Sequence, residues 1–383
     1  MSKINSVKDY LDAIQNAVIE NNVFFRGHAS DTYTLDPGLY RKVANGKNLA
    51  EYEDEIYREV ISKSPNEFVN KNTLESLALL QHYEAPTRVL DLTENALVAL
   101  FFAVNKHEDE HGEVIVFDIP NKSVCHYNSD RVTVLANIAK CDKSFHYSSE
   151  FVAIYRNSIA ELLVKKITPN ISVLTCRTEI FDFLYKNKKL EKIFAVNDQF
   201  DLRNYDKNLV FFKEQYKSIN GTFVDNDEES FENKFIDSLL EILHKGISHS
   251  IDNCNNKYFG KLIHNIREDK AYFDAIIDPT HLSQVFAVRP KFDNPRIIRQ
   301  QGAFLIFGVK EELISGFNGY KPMTELKLEW VSRGLTKERI IIDKDSKNKI
   351  LKELEQLGIN QSVLFPEVDK VADFVRKKYS EKL

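Results

Sequence analysis

Short apolar runs with strand character fall into two groups far apart in this chain. VFFRG, ending at Gly27, and EVIVFDI, after Gly112, lie near the start; QVFAVRP (Gln284 to Pro290), AFLIFGV (Ala303 to Val309) and ERIIIDK (Glu338 to Lys344) lie near the end. A lone hairpin is marginally stable in water, so such runs need several partners on one sheet. The stretch between the groups has a different pattern. YRNSIAELLVKKI, TEIFDFLYKNKKLEKIF, FENKFIDSLLEILHKGI and YFGKLIHNIREDKAYFDAII place apolar residues at helical spacing, with lysine and glutamate opposite. The expected fold class is α+β: a mixed sheet core with flanking helices, interrupted by a large, mostly helical insertion. The expected boundaries are 1–119 for the first half of the core, 120–280 for the insertion, and 281–383 for the second half with C-terminal helices.

Breakers are scarce, with 13 glycines and 10 prolines in 383 residues, which favours many helices. VKDYLDAIQNAV follows Ser6 as an N-cap and carries Tyr10, Leu11, Ile14 and Val18 on one face. Residues 47–80 read as helical, and Thr93 to Asn105 reads as a second buried helix. From Ser346 the tail reads as helix, loop and helix. No repeat of solenoid length is visible.

Composition removes several function classes. A net charge of −5, from 52 basic and 57 acidic side chains, is not that of a polybasic nucleic-acid binder. The 43% hydrophobic and 28% charged content is that of a folded chain rather than a disordered one. Cys125, Cys141, Cys176 and Cys254 form no CxxC pair, so neither a zinc ribbon nor a dithiol motif is present. The most apolar window, ALVALFFAV, is too short to cross a bilayer. With no apolar leader at its start, the chain is expected to be cytoplasmic and free of membrane.

Three clusters carry chemical information. In FFRGH, Arg26 ends an apolar strand and Gly27 follows. A guanidinium fork beside a glycine suits an anion that approaches the backbone, but a salt bridge closing a sheet edge is the commoner use of such an arginine. LLQHYEAPTRVLDLTEN packs Gln81, His82, Tyr83, Glu84, Thr87, Arg88, Asp91, Thr93 and Glu94 into what reads as a turn-rich linker between two helices. Asp91 or Thr93 suits a helix cap and Arg88 a partner for Asp91; capping does not call for the QHY triplet. In NPRIIRQQGAFLIFG, arginines and glutamines lead into a strand, and Gln300 and Gln301 precede Gly302. HEDEH, His107 to His111, has zincin spacing but sits in an acidic stretch between a helix and a strand, and reads as a loop. KNKKLEKIF, Lys186 to Phe194, reads as a solvated basic helix face. No P-loop or GxGxxG turn occurs.

FFRGH, LLQHYEAPTRVLDLTENALVALFFAV and PRIIRQQGAFLIF, in that order, resemble the FRG domain, as does the tail ILKELEQLGINQSVLFPEVDKVADFV. The resemblance covers residues near 20–120 and 284–375, and departs at Leu92, where the family usually has an aromatic residue. FRG domains are similar in outline to ADP-ribosyltransferases, and that likeness implies a site. Arg26, His82 and Gln300 would be catalytic, with Gln300 near the position that usually holds a glutamate. Gly27, Tyr83, Thr87, Arg88, Asp91 and Gln301 would contact NAD, the substrate, and no metal is expected. Glutamine cannot act as a general base but can orient a hydroxyl. The implied function is an effector that modifies a protein or nucleic acid, in anti-phage defence as a toxin, with a partner protein that restrains it. Two alternatives stand beside it: a non-catalytic module binding a nucleotide or a partner, and a nucleic-acid-processing enzyme using Arg26, His82 and Arg88 on phosphate.

Overall fold

The structure is a computed structural model, and it describes residues 4–15, 20–148, 258–274, 276–312, 321–332 and 339–380, with Asp252, Asn255 and Asn256. Much of the stretch expected to be a helical insertion, the basic run at Lys186 included, lies outside the described residues.

The chain divides into two compact units. The first comprises residues 1–145, 283–310 and 319–383. Its helices are α1 (Val7–Gln15), α2 (Glu53–Lys63), α3 (Thr73–His82), α4 (Ala96–Val104) and α5 (Asp130–Asn137). The second unit, residues 146–282 and 311–318, contains helix α6 (Gly260–Asp269) and a parallel pair of two-residue strands, β5 (Tyr147–Ser148) and β8 (Glu311–Glu312). The first unit continues with α7 (Pro295–Gln300), α8 (Lys347–Gln356), α9 (Gln361–Leu364) and α10 (Val368–Ser380). The fold class is α+β, as expected.

One sheet organises the first unit. Its strands are β1 (Asn22–His28), β2 (Val89–Thr93), β3 (Gly112–Ile119), β4 (Val124–His126), β6 (Val285–Arg289), β7 (Gly302–Phe307), β9 (Val331–Ser332) and β10 (Ile340–Ile342). Their order is β10-β3-β1-β2-β7-β6-β4, with β9 also on β3. Every pairing is antiparallel except β4 with β6. All five apolar runs are strands of this sheet: the two sequence groups pair directly where β10 meets β3, and β2 bridges β1 to β7.

The side-chain alternation of β1 sends its residues to two cores. Phe25 packs with α1, α4, α8 and α9, through Tyr10, Val98, Phe101, Ile350 and Leu364. Phe24 packs on the opposite face with Leu90, Leu92, Phe117, Leu305, Phe307 and Trp330. Gly27 and Gly112, on neighbouring strands, receive α4: a Cβ on Gly27 would stand 1.9 Å from the Ala99 carbonyl oxygen, and one on Gly112 would stand 2.2 Å from that of Ala103. The glycine of FFRGH therefore makes room for a helix backbone, where the sequence reading gave that space to a ligand.

Three local readings are corrected. VLDLT is a strand, not part of a linker, and its two leucines are buried while Asp91 is exposed. The polar residues around it hide a strand that is apolar apart from Asp91 and Thr93. PRIIRQ is a helix rather than a polar strand, with the Asn294 side chain accepting from Arg296 N, Pro295 at the first turn and Gln301 left-handed at its end. Asn95, rather than Asp91 or Thr93, caps α4 through hydrogen bonds from Leu97 N and Val98 N. HEDEH lies in the loop between α4 and β3.

Candidate functional site

A cavity of about 200 Å³ opens where β1, β2 and β7 meet the ends of α3 and α7. Sites for drug-sized ligands run from about 300 Å³ upward, so this cavity is smaller than a whole site of that kind. Its polar lining comes from Arg26, Gln81, His82, Asp91, Thr93, Asn294, Arg296 and Gln300, and its apolar lining includes Phe25, Phe102 and Phe304.

A gap in the sheet positions Arg26. Pairing of β1 with β2 is confined to Phe25 opposite Thr93. Past that point the Arg26 side chain replaces the ladder, with Nη1 donating to the Asp91 carbonyl at 2.6 Å and Nε donating to His28 Nε2 at 2.9 Å. Nη2 has no protein partner among the described residues. Burial lowers the Arg26 guanidinium to about 10, still cationic at neutral pH. Burial and the nearby arginines push His28 down to about 3, so its ring is neutral and Nε2 accepts from Arg26.

Asp91 is held by a relay. Thr87 Oγ1 donates to Gln81 Oε1 at 2.8 Å, and Gln81 Nε2 donates to Asp91 Oδ2 at 2.9 Å. The amide is thereby oriented with its NH₂ toward the carboxylate. Opposite, Arg296 donates from Nη1 to the His82 carbonyl at 3.3 Å, and its guanidinium lies 4.5 Å from the centre of the Phe365 ring. Burial lowers Arg296 below the usual arginine range, while Glu367, Asp91 and Glu84 pull it back up.

Of the residues expected at the site, Arg26, Gly27, His82, Asp91 and Gln300 meet at this cavity. Gln300 is not free to turn toward a ligand, because its Nε2 donates to the Leu364 carbonyl at 3.0 Å. The other four are placed elsewhere. Arg88 is fully buried: its Nε donates to Glu53 Oε1 at 2.6 Å, its Nη2 contacts Glu53 Oε2, and its Nη1 donates to the Phe307 carbonyl at 2.9 Å. It is a core cation paired with Glu53 and not with Asp91. Thr87 is buried and acts on the site only through Gln81. Tyr83 is 60% exposed beyond the end of α3, its ring against His82. Gln301 takes φ +46° at the end of α7, where its carbonyl accepts from Glu94 N.

Sequence reasoning left Arg296 and Asn294 out of the site. The signal for Arg296 was its spacing of four residues from Gln300, which puts both on one face once PRIIRQ is a helix.

The family model described as FRG domain matches residues 21–112, from the start of β1 to the start of β3. The chain thus carries an FRG domain, and that segment supplies Arg26, His82 and Asp91. No curated protein and no solved structure matches the chain.

Proposed function

We propose that this cavity binds NAD and that the domain transfers ADP-ribose from it to a macromolecular acceptor. The observation that supports this most is the conjunction of two guanidiniums, Arg26 and Arg296, with one oriented carboxylate, Asp91, around a single cavity. A dinucleotide brings a pyrophosphate, for which arginine forks are suited. Breaking the nicotinamide–ribose bond builds positive charge on the ribose, and a carboxylate held in place stabilises it. Asp91 fills that role in this reading, and Gln300 is a structural link to the C-terminal segment. The acceptor is a protein or a nucleic acid in the cytoplasm. An effector role in defence, held in check by a partner protein, belongs to the same proposal.

The test uses purified protein and labelled NAD, with and without cell lysate. Wild type is expected to release nicotinamide and to label a macromolecule. Asp91→Asn is expected to lower nicotinamide release by at least about 100-fold, the scale of a lost catalytic group, with its Tm near that of wild type. Arg296→Gln is expected to weaken NAD binding by about tenfold or more, as for a lost charge-assisted hydrogen bond. NAD binding without turnover would turn the site into a nucleotide-sensing module. No NAD binding by folded wild type would overturn the proposal.

A further inference from the structure

The segment after α9 reaches back to the cavity and delivers a carboxylate to its histidine. Glu367 Oε1 lies 2.9 Å from His82 Nε2. Phe365 fixes this approach, with its ring against Phe101 and Phe102 and under the Arg296 guanidinium. Gln300 Nε2 ties the same segment down through the Leu364 carbonyl at 3.0 Å. The second oxygen, Glu367 Oε2, is buried and has no hydrogen-bond partner. Structural carboxylates are ordinarily satisfied at both oxygens, and an unsatisfied buried one calls for a reason beyond packing.

We infer that Glu367 is a positioning residue for His82, and that His82 is the proton acceptor of the reaction proposed above. Glu367 holds the hydrogen on Nε2, which leaves the Nδ1 lone pair as the base. Nδ1 has no protein partner among the described residues, and the ring lines the cavity. His82 Nδ1 takes the proton of an acceptor hydroxyl as the hydroxyl oxygen bonds to C1′ of the ribose. The C1′–N bond breaks with its electron pair on nicotinamide, so charge and atoms balance. Among the described residues, the charged and titratable groups that face the ring are Glu367, Arg296 on α7, Asp91 on β2 and Tyr83. Burial and Arg296 lower the ring's pKa below its ordinary value, against Glu367 and Asp91, so the ring is neutral at pH 7 and able to accept.

The inference rests on the NAD reading only for the identity of the reaction, so the test has one arm that needs no turnover. In that arm, ¹⁵N NMR of the full chain reads the His82 ring. The expected wild-type signal at pH 7.5 is hydrogen on Nε2 and a bare Nδ1, with mixed tautomers in Glu367→Gln. Hydrogen on Nδ1 in wild type, or an unchanged ring in Glu367→Gln, would overturn the inference whatever the reaction is. In the second arm, the rate is followed against pH. It should fall as pH drops through the His82 pKa. Glu367→Gln should cut the maximum about tenfold or more and move that limb to lower pH, because a negative neighbour has gone. Arg296→Gln should move the limb to higher pH, and Glu367→Asp should restore part of the rate. If Glu367→Gln instead binds NAD more tightly with undiminished turnover, Glu367 mimics the ligand's anion and the inference fails. Absence of turnover in wild type with the expected tautomer would count against the NAD reading alone.

Discussion

Glu53→Ala is expected to destabilise the first unit by about 5 kcal/mol, at the upper end for a broken buried ion pair. Glu53 lies between two buried cations. Arg88 takes both of its oxygens, and Lys321 Nζ stands 2.7 Å from Oε2. Lys321 also donates to the Cys141 carbonyl at 2.7 Å, and the Tyr40 hydroxyl donates to the Lys321 carbonyl at 3.2 Å. Arg88 and Lys321 are both wholly buried. Removing this carboxylate leaves two like charges in the core with no counter-ion among the described residues, which costs far more than one lost contact. Domains are stable by about 5–15 kcal/mol, so most of the margin would go. Urea denaturation followed by circular dichroism measures this, and a loss under about 1 kcal/mol would show that the cluster is not holding the fold. The pH dependence has a fixed sign. Burial alone would raise the Glu53 carboxyl, but Arg88 and Lys321 bring it down from 4.5 to about 2. Its contribution is therefore complete above about 4.5 and is lost as pH falls toward 2. Wild type should lose stability across that window, and Glu53→Gln should lack that component.

Gly27→Ala is the second large effect, expected to cost about 3 kcal/mol or more. The added methyl would meet the backbone of α4, with Ala99 O at 1.9 Å, Ala99 C at 2.9 Å and Ala103 N at 2.8 Å. Neither side yields easily. β1 is paired with β3 from Asn22 to His28, and α4 is buried along Val98–Phe101 and Ala103–Val104. Overpacking of a close-packed core typically costs about 1–3 kcal/mol, and contact with backbone lies at or beyond that limit. Gly302→Ala is the control, since its nearest neighbour, Ile297 Cγ2, would be at an ordinary 3.5 Å, and it should cost under about 1 kcal/mol. Thermal melts of the two variants compare them directly, and equal melting temperatures would refute the packing account. The same substitution separates stability from binding, because Gly27 borders the cavity only through its backbone.

How much was legible depended on whether the signal was local. Every strand rich in isoleucine, valine and phenylalanine could be read from the sequence, because β-branched and aromatic runs between breakers leave few alternatives. VLDLT was missed because its flanks are polar, and the feature that makes it a strand, pairing with AFLIF as Leu90 opposite Leu305 and Leu92 opposite Ala303, lies more than two hundred residues away. PRIIRQ was missed because six residues are too few for a period to show. Of the site residues, Arg26 and His82 drew attention because a cation at a strand end and a histidine at a helix end are locally unusual. Arg88 drew the same attention and proved to be a core ion. Nothing within TRVLD distinguishes a guanidinium aimed at a ligand from one aimed at Glu53, thirty-five residues upstream.

The sequence by itself determined the α+β class and the strands supplied from both ends of the chain, because each rests on composition and spacing within short windows; the FRG segment was legible through its resemblance to the family's motifs. Only the tertiary structure decided which polar residues meet. It joined Arg26 to the Asp91 carbonyl across a gap in the sheet, brought Arg296 beside His82, and carried Glu367 back from the C-terminal region. The reason is physical: a charged side chain finds its partner through folded geometry, and Coulomb attraction between groups hundreds of residues apart has no signature in either local sequence.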